Sequence, residues 1–157
     1  MLMEKKFRKN VAAIVLSQDY PFSCKILVAL RMDIEVWQFP QGGIDDGETP
    51  KEALFRELEE ELGTNCFELI AEYPEWLSYE FPTDAVKKKY NFDGQIQKYF
   101  LVKIKENNAI NLNTAEPEFK ECFFVDYKDI NSYINHFKKP IYTKVLKYFQ
   151  KEGFLGC

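Results

Sequence analysis

Three glutamates, Glu57, Glu60 and Glu61, stand at i, i+3 and i+4 within the run "RELEEELG" (residues 56–63). On a helix that spacing sets the three carboxylates on one face, while Glu59 points elsewhere. Each like-charge pair costs about 0.2–0.5 kcal/mol on an exposed helix. Glu60 and Glu61 also fall in the last turn, where the helix dipole disfavours anions by about 0.3–1 kcal/mol each. A solvated acidic face is the ordinary reading of such a run, but two neighbours change it. The glutamates border a leucine stripe, which puts them at the core's edge. A glycine-rich loop, "QGGIDDGE" (41–48), leads straight into them and can fold its backbone over them. A divalent cation would neutralise the cluster, and all-oxygen ligation selects magnesium or manganese. With one histidine in the chain, a histidine-based zinc site is unavailable.

The elements that must hold this cluster can be read from the same sequence. Thr49 is a good N-cap, Pro50 suits the first helical position, and Glu52 completes a capping box with Thr49. Leu54, Leu58 and Leu62 recur every four residues, and Gly63 supplies a left-handed C-terminal cap. "VAAIVLS" (11–17) and "KILVAL" (25–30) read as strands around a turn at "QDYPFS". "VWQFP" (36–40) reads as short and extended, because Pro40 biases Phe39 away from helix. Further strands are expected at 67–73, 97–104 and 121–127, and two closing helices near 127–136 and 140–151. Strands with interspersed helices predict an α/β protein, a sandwich around a mixed sheet.

A chain of 157 residues suits one domain with one sizeable core, and 46% hydrophobic with 29% charged residues is ordinary for a soluble globular protein. The net charge of −4 argues against sequence-independent coating of nucleic acid, which needs a basic face, but leaves room for gripping one phosphorylated end. Cys24, Cys66, Cys122 and Cys157 are far apart and form no Cys-x-x-Cys pair, so neither a zinc site nor a disulfide framework is expected. No signal peptide or membrane-spanning run is visible, which makes the cytoplasm the expected compartment.

The loop and helix together resemble the Nudix hydrolases. Their signature is Gly, five residues, Glu, seven residues, then Arg-Glu-aliphatic-x-Glu-Glu-x-Gly-aliphatic. Here it reads Gly42, Glu48, Arg56, Glu57, Leu58, Glu60, Glu61 and Gly63, with Thr64 at the last, aliphatic, position. "WQFPQGGID" (37–45), "DGQIQKYFLV" (93–102), "PEF" (117–119) and "HFKKPIY" (136–142) are similar to the bacterial branch of RNA pyrophosphohydrolases and dinucleoside polyphosphate hydrolases. The similarity runs along nearly the whole chain. One departure is "FRKN" (7–10), where Lys9 replaces a usual proline and loosens the entry strand that aims Arg8.

The resemblance implies a single Nudix domain over residues 1–157, with the α/β/α sandwich of that fold, and hydrolysis of phosphoanhydride bonds with Mg2+, for which Mn2+ can substitute. By resemblance, Glu57 and Glu61 are the principal metal ligands, joined by Glu60, Glu118 and a backbone carbonyl at Gly42. The general base lies among Glu57, Glu60, Glu61 and Glu118. Glu48 and Arg56 are read as an ion pair that locks loop to helix. Arg8, Arg31, Lys98, Phe137 and Lys138 are the candidates for gripping substrate, through phosphate contacts and, at Phe137, stacking of a base. Lys138 is read as a cleft-rim residue and His136 as a helix-surface residue. The run Lys87-Lys88-Lys89 is read as solvated, or as a guide for an RNA chain. The expected substrate is the 5′-triphosphate end of RNA, losing pyrophosphate. A dinucleoside polyphosphate is the alternative, and a Nudix-fold binding module without turnover a remote one. No DNA or membrane partner is expected, and a monomer is.

Overall fold

The first strand, β1 (Phe7–Leu16), shows how the sheet acquires two covered faces. Its apolar residues run unbroken from Val11 to Leu16, and its last seven residues are buried. Val11, Ala13 and Val15 enter one core, and Ala12, Ile14 and Leu16 enter the other. A strand that reads as a continuous apolar run is one packed on both sides. The next strand, β2 (Lys25–Arg31), repeats the division, with Leu27 and Ala29 on one face and Ile26 and Val28 on the opposite one. The computed structural model describes residues 4–157.

The remaining strands are β3 (Trp37–Gln38), β4 (Gln41–Gly43), β5 (Phe67–Glu72), β6 (Leu77–Glu80), β7 (Gly94–Ile104) and β8 (Phe119–Asp126). The sheet runs β3-β2-β1-β7-β5, with β4 paired to β1, β6 to β7 and β8 to β2. β1 and β7 are parallel over the whole of β1, from Phe7↔Gly94 to Leu16↔Lys103, and the other pairings are antiparallel. The sheet is therefore mixed. Helix α1 (Pro50–Leu62) covers one face with Ala53, Leu54, Leu58 and Leu62. Helix α3 (Lys139–Lys151) covers the other with Tyr142, Val145, Leu146 and Phe149. Burial of each such leucine or phenylalanine contributes about 1.5–3 kcal/mol. The result is the α/β/α sandwich that the sequence predicts.

Helix α1 keeps its sequence signals. The Thr49 hydroxyl accepts from the Glu52 N–H at 3.1 Å, and the Glu52 carboxylate accepts from the Thr49 N–H at 3.0 Å. Gly63 ends the helix at φ +72°, where an L side chain would be strained. The Thr64 hydroxyl accepts from the Cys66 N–H at 3.1 Å, so the polar residue at the signature's last position caps the following turn.

Several expectations need correction. The extended stretch expected at 36–40 holds as the short strand β3, but the loop expected at 41–48 opens with strand β4, and between the two the Pro40 carbonyl accepts from the Ala13 N–H. The helix expected near 127–136 is a 3-10 helix at Tyr127–Ser132, although Tyr127, Ile130 and Ile134 all reach the core at helical spacing. Strand β6 and the short helix α2 (Asp84–Tyr90) inside the β6–β7 hairpin were not read from the sequence. Cys24 and Cys157 form a disulfide across a separation of 133 residues, with their Cα atoms 5.6 Å apart. Their sequence spacing carries no hint of it. The fold brings the C-terminus back to the start of β2, burying Leu155 beside Phe149 and Cys24 in one cluster. No helix among the described residues is long and apolar enough to cross a membrane.

Candidate active site

The short strand β4 is where two groups of side chains meet. Its three residues pair with Asn10, Val11 and Ala12 of β1. Two of them are glycines that other side chains approach closely, and neither has a positive φ. A Cβ on Gly42 would lie 2.0 Å from the Glu57 carboxyl carbon, and one on Gly43 would lie 2.2 Å from the Arg8 guanidinium. The strand is thus pressed against α1 on one side and holds Arg8 beside it on another.

The first group is acidic. Glu57, Glu60, Glu61 and Glu118 line a cavity of about 430 Å³, together with Glu59, Thr114 and Glu116. Glu61 is 5% exposed, and its Oε2 has no hydrogen-bond partner among the described residues. Burial raises the Glu61 carboxyl well above its ordinary value, and the neighbouring charges of Glu57 and Glu118 raise it further. Burial also raises Glu57, against the opposing pull of Arg56.

Arg56 holds this group on its outer side. Its Nε donates to Glu48 Oε2 at 2.7 Å and its Nη2 to Glu48 Oε1 at 2.9 Å. Its Nη1 reaches Glu57 at 2.9 Å and Glu60 at 3.3 Å, and its Nη2 donates to the Gly43 carbonyl at 2.8 Å. Paired bonds to one carboxylate are the strong form of this contact. They hold Glu48 down to about pKa 2, with help from the Asp45 N–H. A carboxyl lowered in the fold supports it above the ordinary 4.5 and loses that support as the pH falls through about 2, so the lock survives mild acid. Glu48 and Arg56 therefore form the expected bond between loop and helix.

Among the described residues, no three carboxylates are gathered around one point. Like charges spread apart, and Arg56 draws Glu57 and Glu60 to its own side. A divalent cation nevertheless fits the cavity. The donors are all oxygens, one buried carboxylate oxygen is unpartnered, and the backbone of Gly42 stands directly against Glu57.

The second group is cationic and aromatic. Lys138 is 5% exposed, its Nζ donates to Gln41 Oε1, and it lies 5.2 Å from the centre of the Tyr79 ring. The expectation of a cleft-rim lysine is thus overturned, because α3 begins inside the fold and carries Lys138 under Tyr79. Burial pushes its pKa down to about 7, and the charge of Arg31 adds to the effect. Gln41 is held in turn by Gln97 Nε2 at 2.9 Å, and Gln97 by Asn10 at 2.8 Å and the Tyr99 hydroxyl at 2.8 Å. Phe137 is 47% exposed and meets Tyr79 edge-on, with ring centres 5.2 Å apart. Arg31 is fixed by two bonds to Asp33, at 2.9 and 2.6 Å.

His136 is half-buried rather than on a helix surface. Its Nδ1 accepts from the Lys138 N–H at 3.2 Å, which leaves Nε2 to donate to the Trp37 carbonyl at 3.1 Å. This neutral ring, lowered in pKa chiefly by burial, ties the Phe137–Lys138 segment to β3. Lys98 joins neither group in any hydrogen bond or ion pair among the described residues. It donates to the Pro74 carbonyl at 3.3 Å. Residues that sequence reasoning missed are Tyr79, Gln41, Gln97 and Asn10. The alternation of Leu77 and Tyr79 with Ser78 and Glu80 was the available signal for β6. Nothing in the sequence marks the amides.

A buried lysine with a lowered pKa burdens the fold fully below about pH 7, and the burden shrinks as the pH rises toward 10.5. Lys138→Met should therefore leave the protein as stable at neutral pH, or more stable by about 1–4 kcal/mol. Its affinity for a polyphosphate should fall about tenfold, the value of one charge-assisted bond. Thermal unfolding and KM measured on the same preparation check both.

Residues 6–145 match the family model described as the NUDIX domain. An RNA pyrophosphohydrolase of Campylobacter jejuni is 62% identical over 153 residues, covering 97% of this chain and 98% of the relative. One from Helicobacter pylori is 53% identical over 155 residues, covering 98% and 100%. Among solved structures, an E. coli dihydroneopterin triphosphate pyrophosphohydrolase matches with a TM-score of 0.70 at 17% identity, covering 91% of this chain and 97% of that one. A C. elegans Ap4A hydrolase complex matches with a TM-score of 0.69 at 17% identity, covering 92% and 98%. At those identities the structural matches show the fold.

Proposed function

This chain belongs to the Nudix family, and on that premise we propose that it removes pyrophosphate from the 5′-triphosphate end of RNA, as a single Nudix domain, a monomer, in the cytoplasm. The observation that carries the choice of RNA is the near-full-length similarity to the Campylobacter and Helicobacter enzymes named for that activity. The site is compatible with it. All the signature glutamates are present, which sets aside the reading of a binding module without turnover. Cys24 and Cys157 would be held as thiols in a reducing cytoplasm.

Glu57 and Glu61 would be the principal ligands of magnesium or manganese, with Glu60, Glu118 and the Gly42 carbonyl completing an all-oxygen set. Bound there, the ion neutralises phosphate oxygens and lowers the pKa of water. The chain's own residues do the rest. A carboxylate among Glu57, Glu60, Glu61 and Glu118 takes the proton of the attacking water. Arg56 keeps Glu57 aimed by holding loop and helix together. Arg8, beside Gly43 and close enough to Glu57 to lower its pKa, is set to meet the phosphate chain. Lys138 regains its charge as a phosphate approaches. Phe137 offers its exposed face to a base. Lys98, tied to Pro74, is the weakest of the substrate-grip candidates.

The test is a side-by-side assay of 5′-triphosphorylated RNA and diadenosine tetraphosphate at matched concentrations, with products identified, in magnesium and in excess chelator. Pyrophosphate and 5′-monophosphorylated RNA should appear faster than nucleotides from the dinucleotide, and only with metal. Faster turnover of the dinucleotide would overturn the RNA reading, and full activity in chelator would overturn the metal site.

A further inference from the structure

Four rings lead away from the cleft in a chain of contacts. Phe137 meets Tyr79 at 5.2 Å, Tyr79 meets Phe81 at 6.0 Å, and Phe81 meets Tyr90 at 5.3 Å, all between ring centres. The two end rings are exposed, Phe137 by 47% and Tyr90 by 37%, while Phe81 is buried. The inner rings thus fix the outer two relative to one another. Tyr90 also lies near enough to the Arg31 guanidinium to raise its pKa, which sets the end of α2 near the cleft group.

Tyr90 ends α2, whose last turn holds Lys87, Lys88 and Lys89. Lysines there complement the helix dipole, which is reason enough for one of them. Lys87 pairs with Glu80 at 3.4 Å, and Glu80 also takes Lys5. Lys88 and Lys89 are exposed and have no ion-pair partner among the described residues, and Lys89 Nζ lies 5.3 Å over the Tyr90 ring. In a chain of net charge −4, two unneutralised cations beside an exposed ring are the combination that single-stranded nucleic acid uses, with bases stacked on rings and phosphates on cations.

We infer that α2 is a second RNA-binding surface, on which Tyr90 stacks a base of the substrate beyond its first two nucleotides while Lys88 and Lys89 hold the phosphates beside it. The inference rests on the RNA reading above and deepens it. The order of the groups sets the polarity: the acidic cavity takes the 5′-triphosphate, Phe137 and Arg31 the first bases, and α2 the chain that follows. A dinucleoside polyphosphate is too short to profit from α2, so this surface would favour RNA over it.

The experiment compares a 5′-triphosphorylated dinucleotide with a decanucleotide of the same first two bases. KM and kcat are measured for the parent, Tyr90→Ala, Tyr90→Phe and the double variant Lys88→Ala/Lys89→Ala. The parent should show a KM at least about tenfold lower for the decanucleotide, the worth of one base stack and its phosphate contacts. Tyr90→Ala should lose that advantage with kcat unchanged, and Tyr90→Phe should keep it. The double variant should flatten the fall of log affinity with log salt by about 1.4 for the decanucleotide, two phosphate contacts at about 0.7 each. It is the arm that stands if Tyr90→Ala disturbs α2, because Lys88 and Lys89 lie outside the core. Equal KM for the two RNAs in an active parent, or variants that keep the length advantage and the salt slope, would overturn the inference. A parent inert on both RNAs would instead overturn the pyrophosphohydrolase reading, and α2 as an RNA surface with it.

Discussion

Glu61→Gln should slow turnover about 10²–10³-fold while leaving the metal-free protein as stable as the parent, or more so. Glu61 is buried with one oxygen unpartnered and with the charges of Glu57 and Glu118 close by. An uncompensated buried carboxylate is among the most costly groups a fold can hold. Glutamine keeps the shape and removes the charge. The sign of the pH dependence follows. A carboxyl raised in the fold keeps its proton where the unfolded chain has lost it, so the metal-free parent loses stability as the pH rises above 4.5 toward the raised value. The variant should lack that decline. Added magnesium should stabilise the parent by mass action and the variant far less. Several kcal/mol of metal-dependent charge stabilisation would be lost, a rate loss of about 10²–10³. Thermal unfolding across pH, with chelator and with magnesium, together with turnover, checks this. A variant that is markedly less stable without metal, yet gains the parent's full magnesium effect, would show Glu61 to be structural.

Gly42→Ala should cost about 10² in kcat with little change in stability. The new methyl carbon would meet the Glu57 side chain at 2.0–2.5 Å and nothing closer in the backbone. Gly42 has no positive φ, so alanine suits its conformation. The end of a glutamate can swing aside, which spares the fold but moves a proposed ligand by more than an ångström. Misplacement on that scale costs about 10²-fold in rate. The outcome to look for is an unchanged melting temperature in chelator with a collapsed kcat. If the variant melted far below the parent, the close approach would belong to packing rather than to chemistry.

The parts of this molecule that were legible in its sequence are those set by neighbours in the chain. Thr49, Pro50, Glu52 and Gly63 define α1 within a few residues of themselves, and the Glu48–Arg56 bond joins the end of the loop to the helix that follows it, 8 residues on. The glutamate face follows from helical period alone. What was not legible depends on distant segments. Lys138 is buried because β4 and β6 close over the start of α3, and no property of "HFKKP" announces that. The Cys24–Cys157 pair depends on where a terminus returns. Gln97 reads as an ordinary strand residue, yet it is 0% exposed and joins Asn10, Tyr99 and Gln41. Buried amide networks of this kind have no local spacing to betray them.

Strand β4 has a bearing on how this chain can change over evolutionary time. Gln41, Gly42 and Gly43 are held in register against Ala12, Val11 and Asn10, and each serves a different partner: Lys138, Glu57 and Arg8. A single inserted or deleted residue there would exchange the two faces of the strand. It would aim a side chain at Glu57 and withdraw the amide from Lys138 in one event, with no intermediate form that keeps either group intact. The stretch from Pro40 to Gly43, which opens the loop into α1, is therefore constrained in length. The exposed tip of the turn between β1 and β2, around Phe22, carries no such constraint. Length variation among descendants of this sequence should collect at that turn and avoid β4.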